Sequence, residues 1–153
     1  MAKIRPEKRA IENRERIDDF ISGSQVVRIG MISRGEPYIV PVNFVYQDRT
    51  VYFHCARTGR KYSSLESGSR VCLEFDEMHG INVTGADTWY TSVLAWGNAV
   101  IVQERSLCRK VLEMLVKKYL GTEVEITDAM LDRTCIAGVC VEEVTGKENL
   151  PQS

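Results

Sequence analysis

Apolar and polar positions alternate with a period of two over most of the chain, and helical spacing appears only in a few segments. Gln25 to Ser33, Pro37 to Tyr46 and Thr50 to Cys55 read as strands, and Arg34-Gly35-Glu36 and Gln47-Asp48-Arg49 between them read as tight turns. This predicts an antiparallel meander. A helix is expected before it, from Pro6 at its first turn to about Ile21 (residues 6–21), with Ile11, Ile17, Phe20 and Ile21 as its apolar stripe. After the meander, Arg57 to Ser67 lacks alternation, and Thr58, Lys61 and Leu65 recur at about one helical turn, so a short helix is predicted. Strands resume at Arg70 to Asp76 and Trp89 to Gln103, and the polar stretch Glu77 to Thr88 reads as a loop. Ser106 is placed to cap a helix through Leu120, with Leu107, Val111 and Leu115 on its apolar face and Gly121 at its end. One further turn at Thr127 to Leu131, a last strand from Ile136 to Val144, and a polar tail over 146–153 complete the pattern. There is no alternation of strands with crossover helices. The expected architecture is α+β and mainly β: a six-stranded antiparallel barrel with flanking helices, forming a single domain over 1–153.

Composition narrows the functional classes. The chain has 153 residues, 44% of them hydrophobic and 27% charged, which is enough apolar material for one packed core. Twenty Lys and Arg against 21 Asp and Glu leave a net charge of -1, so neither nucleic acid nor a membrane surface is an expected partner. No apolar run approaches the roughly 20 residues of a membrane span, and the charged N-terminus is unlike a secretory signal. Five cysteines without framework spacing read as free thiols of a reducing compartment, and the expected location is cytoplasmic. Two histidines and no C-x-x-C pair argue against a metal site.

The candidate chemistry lies in three segments. In PYIVPVNFVY, Asn43 interrupts an apolar face, so its amide either satisfies backbone in the barrel or meets a polar ligand edge. Pro41, lacking an N–H, belongs at a sheet edge or bulge. YFHCARTGRKYSSL gathers Arg57, Thr58, Arg60, Lys61, Ser63 and Ser64 where a strand gives way to a helix, which suits either a bound phosphate or a solvated charged turn. His54 and Cys55 point to opposite faces of the strand, which rules out a direct nucleophile–base dyad without distortion. In WYTSVLAWGNAVI, Ser92 reads as a core hydroxyl or a donor to a ring edge, and Trp96 as a core anchor ahead of a stacking plate.

These segments, with VVRIGM at Val26 to Met31, RVCLEFD at Arg70 to Asp76 and EEVTGKE at Glu142 to Glu148, resemble the FMN-binding split barrels related to pyridoxamine 5′-phosphate oxidase. The nearest likeness is to the 5-nitroimidazole-resistance-like flavoproteins. The resemblance implies a homodimer with FMN in two clefts at the subunit interface. It places Pro41, Val42, Asn43 and Phe44 along the flavin ring, His54 and Cys55 beside ring and ribityl chain, and Arg60 and Lys61 at the phosphate. Ser92 stands where the oxidases carry a glutamine. The oxidases' substrate-binding arginines have no counterpart in the EEVTGKE tail, so pyridoxamine phosphate oxidation is not expected. What the resemblance implies instead is an FMN-dependent oxidoreductase passing electrons, from a nicotinamide cofactor, to a small planar acceptor, with His54 as proton donor. A non-enzymatic flavin- or haem-binding module on the same barrel is the alternative.

Overall fold

The computed structural model describes residues 9–151. Its elements, in chain order, are α1 (Arg14–Gly23), β1 (Val27–Ser33), β2 (Glu36–Val42), β3 (Val45–Gln47), β4 (Thr50–Cys55), α2 (Arg60–Glu66), β5 (Arg70–Asn82), β6 (Asp87–Ile101), α3 (Arg105–Leu120), α4 (Asp128–Arg133), β7 (Cys135–Cys140) and β8 (Glu143–Asn149). The strands are hydrogen-bonded in the order β2-β1-β5-β6-β7-β4-β3, and β8 pairs with β6 off that path.

The predicted meander forms, with one change that shapes the molecule. The expected strand Pro37 to Tyr46 breaks at Asn43–Phe44, so that β2 pairs with β1 at one end of the sheet and β3 pairs with β4 at the other. Only this two-residue corner joins β2 to β3, and it closes the sheet into a split barrel. The described residues hold eight strands instead of six: the corner divides one predicted strand, and Glu143–Asn149 adds β8. Counting β2 and β3 as one bent strand leaves six in the ring, with β8 outside it. Pro41 sits on β2, which pairs only with β1, where a missing N–H breaks no ladder.

Strand β6 belongs to both halves. Its first part pairs with β8, Tyr90 opposite Asn149 through Trp96 opposite Glu143, and its end pairs with β7, Ala99 opposite Val139 through Ile101 opposite Ala137. Thr91, Val93, Ala95, Gly97 and Ala99 all face inward and are buried, as alternation requires. The space there is narrow: a Cβ on Gly97 would stand 2.0 Å from the Cys140 carbonyl oxygen. Phe44, Phe53, Phe75, Ile29 and Leu73 fill the barrel without solvent exposure, Phe44 meeting Phe75 edge-on at 5.3 Å between centroids. Trp96, expected in the core, is instead half-buried on the outward face beside exposed Leu94.

Other boundaries also shift. Helix α1 starts at Arg14, capped by the Asn13 side chain, eight residues after the expected Pro6, which lies outside the described residues. The preceding residues run extended against β8, Ala10 bridging Lys147 and the Ile11 N–H bonding the Gly146 carbonyl at 2.9 Å. Much of the expected polar tail is therefore strand. Gly146 is buried there, since a Cβ would press Ile11 and Ile17 at 3.0 and 3.1 Å. The expected loop Glu77 to Thr88 is mostly hairpin: β5 continues to Asn82, β6 begins at Asp87, and the register shifts between Met78 and Gly80. Helix α3 is capped at its start by Glu104, whose carboxylate accepts from the Ser106 and Leu107 N–H groups, and at its end by Gly121 at φ 66°.

Candidate cofactor site

His54 lies on β4 between Phe53, fully buried, and Cys55, nearly so, and its own side chain turns outward. Alternation alone dictates this. Opposite it, α3 packs on β3, β4 and β7 through Val111 and Leu115. The space left between them is an open groove of about 290 Å³. Asn43, His54 and Thr134 supply its polar lining, and Leu112, Leu115, Val116, Tyr119 and Leu120 of α3 its apolar wall. The sequence reading found Asn43 and His54 but not the α3 wall, which shows in the sequence only as an amphipathic stripe with more apolar residues than one packing face uses.

The Asn43 amide, expected to interrupt a buried face, is exposed, because the corner turns it out of the sheet. It makes no hydrogen bond among the described residues, and neither does the His54 imidazole. Partial burial and then the charge of Lys61 hold the His54 imidazole below its ordinary value, so it is mainly neutral near pH 7. Lys61, in the first turn of α2, makes no ion pair or hydrogen bond among the described residues. Asn43, His54 and Lys61 are thus three polar side chains without hydrogen-bond partners among the described residues.

Their neighbours are committed to the fold. Phe44 is buried, and its N–H donates to the Tyr119 hydroxyl at 3.0 Å, so this amide is not free for a ligand. Val42 is half-buried against the core and Pro41 is exposed. The Cys55 thiol faces the interior beside Cys135, and burial, with Cys135 second, pushes it up to about 12, which keeps it protonated. Arg57 donates to the carbonyl oxygens of Leu131, Asp132 and Thr134 and so closes the end of α4. The Ser63 and Ser64 hydroxyls turn back to the Gly59 and Arg60 carbonyls. Arg60 stacks 4.3 Å from the Tyr38 ring centroid, and its Nε donates to the Ser33 hydroxyl at 3.0 Å.

Ser92 is not brought to this groove. The level of His54 on β4 corresponds to Ile136 on β7, whose carbonyl accepts from the Val102 N–H just beyond β6. From Val102 back to Ser92 is ten strand positions, roughly 33 Å of chain at strand rise. Ser92 is half-buried on the outward face, opposite Asp76 and Lys147.

A larger groove of about 530 Å³ runs between α3 and residues 123–125, but its lysines (Lys110, Lys117) and glutamates (Glu113, Glu123, Glu125) interleave, and no predicted site residue lines it. No group of three or more His, Cys, Asp or Glu among the described residues is arranged to hold a metal ion. No helix among them is long and apolar enough to cross a membrane.

Barrel, corner and groove together define a split-barrel protein with an open groove where the β2–β3 corner, β4 and α3 meet. The chain belongs to the pyridoxamine 5′-phosphate oxidase family, whose model matches residues 13–148. No curated protein matches it. Among solved structures it is similar to a provisionally named 5-nitroimidazole antibiotic resistance protein from Bacteroides thetaiotaomicron, at 25% identity and TM-score 0.83, covering 90% of this chain and 85% of that one. It shares its fold with the flavocytochrome Anf3 from Azotobacter vinelandii, at 18% identity and TM-score 0.84, covering 97% and 73%. The FAD and haem binding protein from Mycobacterium smegmatis is similar at 13% identity and TM-score 0.77, covering 95% and 76%.

Proposed function

We propose that the protein binds a flavin, FMN in particular, and acts as an oxidoreductase of nitroimidazole-reductase type on a small planar acceptor, with a nicotinamide cofactor as electron source. The observation that carries this reading is the apolar-walled groove lined by Asn43 and His54, which have no hydrogen-bond partner among the described residues, with Lys61 near enough for its charge to act on His54. An ammonium suits a phosphate, an amide suits the polar edge of a ring, and the aliphatic wall suits its face. The family membership and the flavin-binding proteins among the similar structures support it. Bound flavin supplies the electron transfer. The chain's part is to fix the phosphate end near Arg60 and Lys61, to shield the groove from water with Leu112, Leu115 and Val116, and to present the His54 imidazole as proton donor. Because that imidazole is mainly neutral near pH 7, turnover that depends on its protonated form rises as the pH falls toward 6.

The distance of Ser92 from His54 within one chain favours a homodimer, in which Ser92 of a second copy would complete the cleft. The five free cysteines suit the cytoplasm. Titration of apoprotein with FMN, FAD and riboflavin, followed by nicotinamide-driven reduction of a nitroaromatic, tests the reading. Tight FMN binding with turnover supports it. Binding without turnover would point to a carrier module, and equal affinities for FMN and riboflavin would remove the phosphate site.

A further inference from the structure

Lys118, on α3, turns its ammonium in toward the corner of the barrel. Its Nζ donates to the Ser24 carbonyl oxygen at 2.7 Å and lies 3.9 Å from the Phe44 ring centroid. No carboxylate among the described residues pairs with it: Asp18, on α1, is held by Arg14 at 3.0 Å and by the Tyr46 hydroxyl at 2.7 Å. With Ser22, Val45, Tyr46, Met114 and Lys117 it lines an open groove of about 290 Å³, distinct from the one lined by His54. Three glutamates line the larger groove that shares Met114 and Lys117 with it, whereas no acidic residue lines this one. Lys118 is thus a half-buried amine that opens, together with a second cation, on a groove without anions.

We propose that Lys118 is an acyl-acceptor site and that its donor is an acyl phosphate. The amine attacks the carbonyl carbon, the bond from that carbon to the phosphate oxygen breaks, and the departing phosphate carries off the amine proton. The products are an amide on Lys118 and inorganic phosphate. Lys117 supplies a cation for the phosphate end, and Val45 and Met114 offer the acyl group an apolar surface. Attack requires a neutral amine. Burial without an ion pair brings Lys118 down to about 8, so about a quarter of it is neutral near pH 7.5, against about one in a thousand for an ordinary lysine. The amide that forms keeps one N–H for the Ser24 carbonyl but places no charge over the Phe44 ring, so acylation removes the cation–π contact at the corner. This site and the flavin reading above do not depend on each other.

Residue-resolved mass spectrometry of the purified protein, after timed exposure near neutral pH to acetyl phosphate or to p-nitrophenyl acetate, a neutral acetyl donor, tests this. Lys110, exposed on the same helix, is the internal reference. With acetyl phosphate, Lys118 is expected to gain acetyl about tenfold faster than Lys110 or more, since the excess of neutral amine outweighs what partial burial takes from access. That advantage should vanish in urea-unfolded protein and be smaller with the neutral donor. Lys117→Met should slow Lys118 severalfold with acetyl phosphate and leave its rate with the neutral donor unchanged. A Lys118 rate no greater than that of Lys110 with both donors, or an advantage that survives unfolding, overturns the acceptor site. An advantage no larger with acetyl phosphate than with the neutral donor, or one that Lys117→Met leaves intact, overturns the acyl phosphate as its donor.

Discussion

Replacing Tyr119 by Phe removes one oxygen from the tie between the end of α3 and the corner of the barrel. That hydroxyl accepts the Phe44 N–H at 3.0 Å and lies 2.7 Å from the Gln25 carbonyl oxygen and 3.2 Å from that of Phe44. Its single proton goes to the shorter contact, so two hydrogen bonds are lost, one accepted and one donated. At about 0.5–1.5 kcal/mol each, the expected loss is about 1–3 kcal/mol. Water can reach the Gln25 carbonyl, which is exposed, but meets the Phe44 amide only partly, because the Phe44 side chain has no solvent exposure. We therefore expect about 1.5 kcal/mol, or a fall of about 3–6 °C in Tm for a chain of this size. Urea unfolding should show a lower midpoint at unchanged slope, since the surface exposed on unfolding is the same. Amide exchange should accelerate at Phe44 well beyond its neighbours. A Tm within about 1 °C of the unmutated protein, with Phe44 exchange unchanged, would refute the account of what holds the corner.

Two further predictions concern packing and charge. Gly97→Ala should cost about 3 kcal/mol in urea unfolding, at the upper end of overpacking effects, because the new methyl meets the Cys140 carbonyl oxygen, a backbone atom that cannot move aside cheaply. Gly23→Ala, with nothing within 4 Å of its Cβ, should not destabilise, and equal costs at the two sites would contradict the close approach of β6 to β7. The His54 imidazole, lowered by burial and by Lys61, takes up fewer protons in the folded than in the unfolded chain as the solution is acidified. Stability should decline as the pH falls through about 6.5 toward the lower folded value, and His54→Gln should flatten that decline. NMR titration of the apoprotein checks it, and a His54 midpoint at or above about 6.5 would show the sign to be wrong.

How much of this was legible in the sequence depended on how local the cause was. The Gly121 cap of α3 was readable because neighbouring residues alone set it, whereas the alternation along β6 did not say which face turns inward: Trp96 was expected in the core, and the buried face is Thr91, Val93, Ala95, Gly97 and Ala99. The break at Asn43–Phe44 was not, because the alternation of PYIVPVNFVY runs unbroken through it and the corner arises from pairing with β1 on one side and β4 on the other. The hairpin Glu77 to Thr88 projects beyond its neighbouring strands, and without a core to face it carries no apolar period. Within the candidate site, the outward turn of His54 followed from strand geometry. The capture of Arg60 by Tyr38 and Ser33, the closing of α4 by Arg57 and the apolar wall of α3 all join residues distant in sequence, and no local pattern announces them.

The pairing of β4 has a consequence for how the chain is made. Its local partner is the three-residue β3, while its long ladder, Thr50 opposite Cys140 through Cys55 opposite Cys135, waits for a strand about 80 residues further on. During synthesis β1, β2, β5 and β6 can assemble as soon as residue 101 has emerged. Strand β4 must then wait as an open edge carrying Val51, Phe53 and Cys55, apolar side chains destined for the interior. Such an edge invites pairing with the wrong strand, from the same chain or another. Slow translation or a truncation before Cys135 should thus turn this protein toward aggregation, and holdase chaperones should engage its nascent form through the β4 segment.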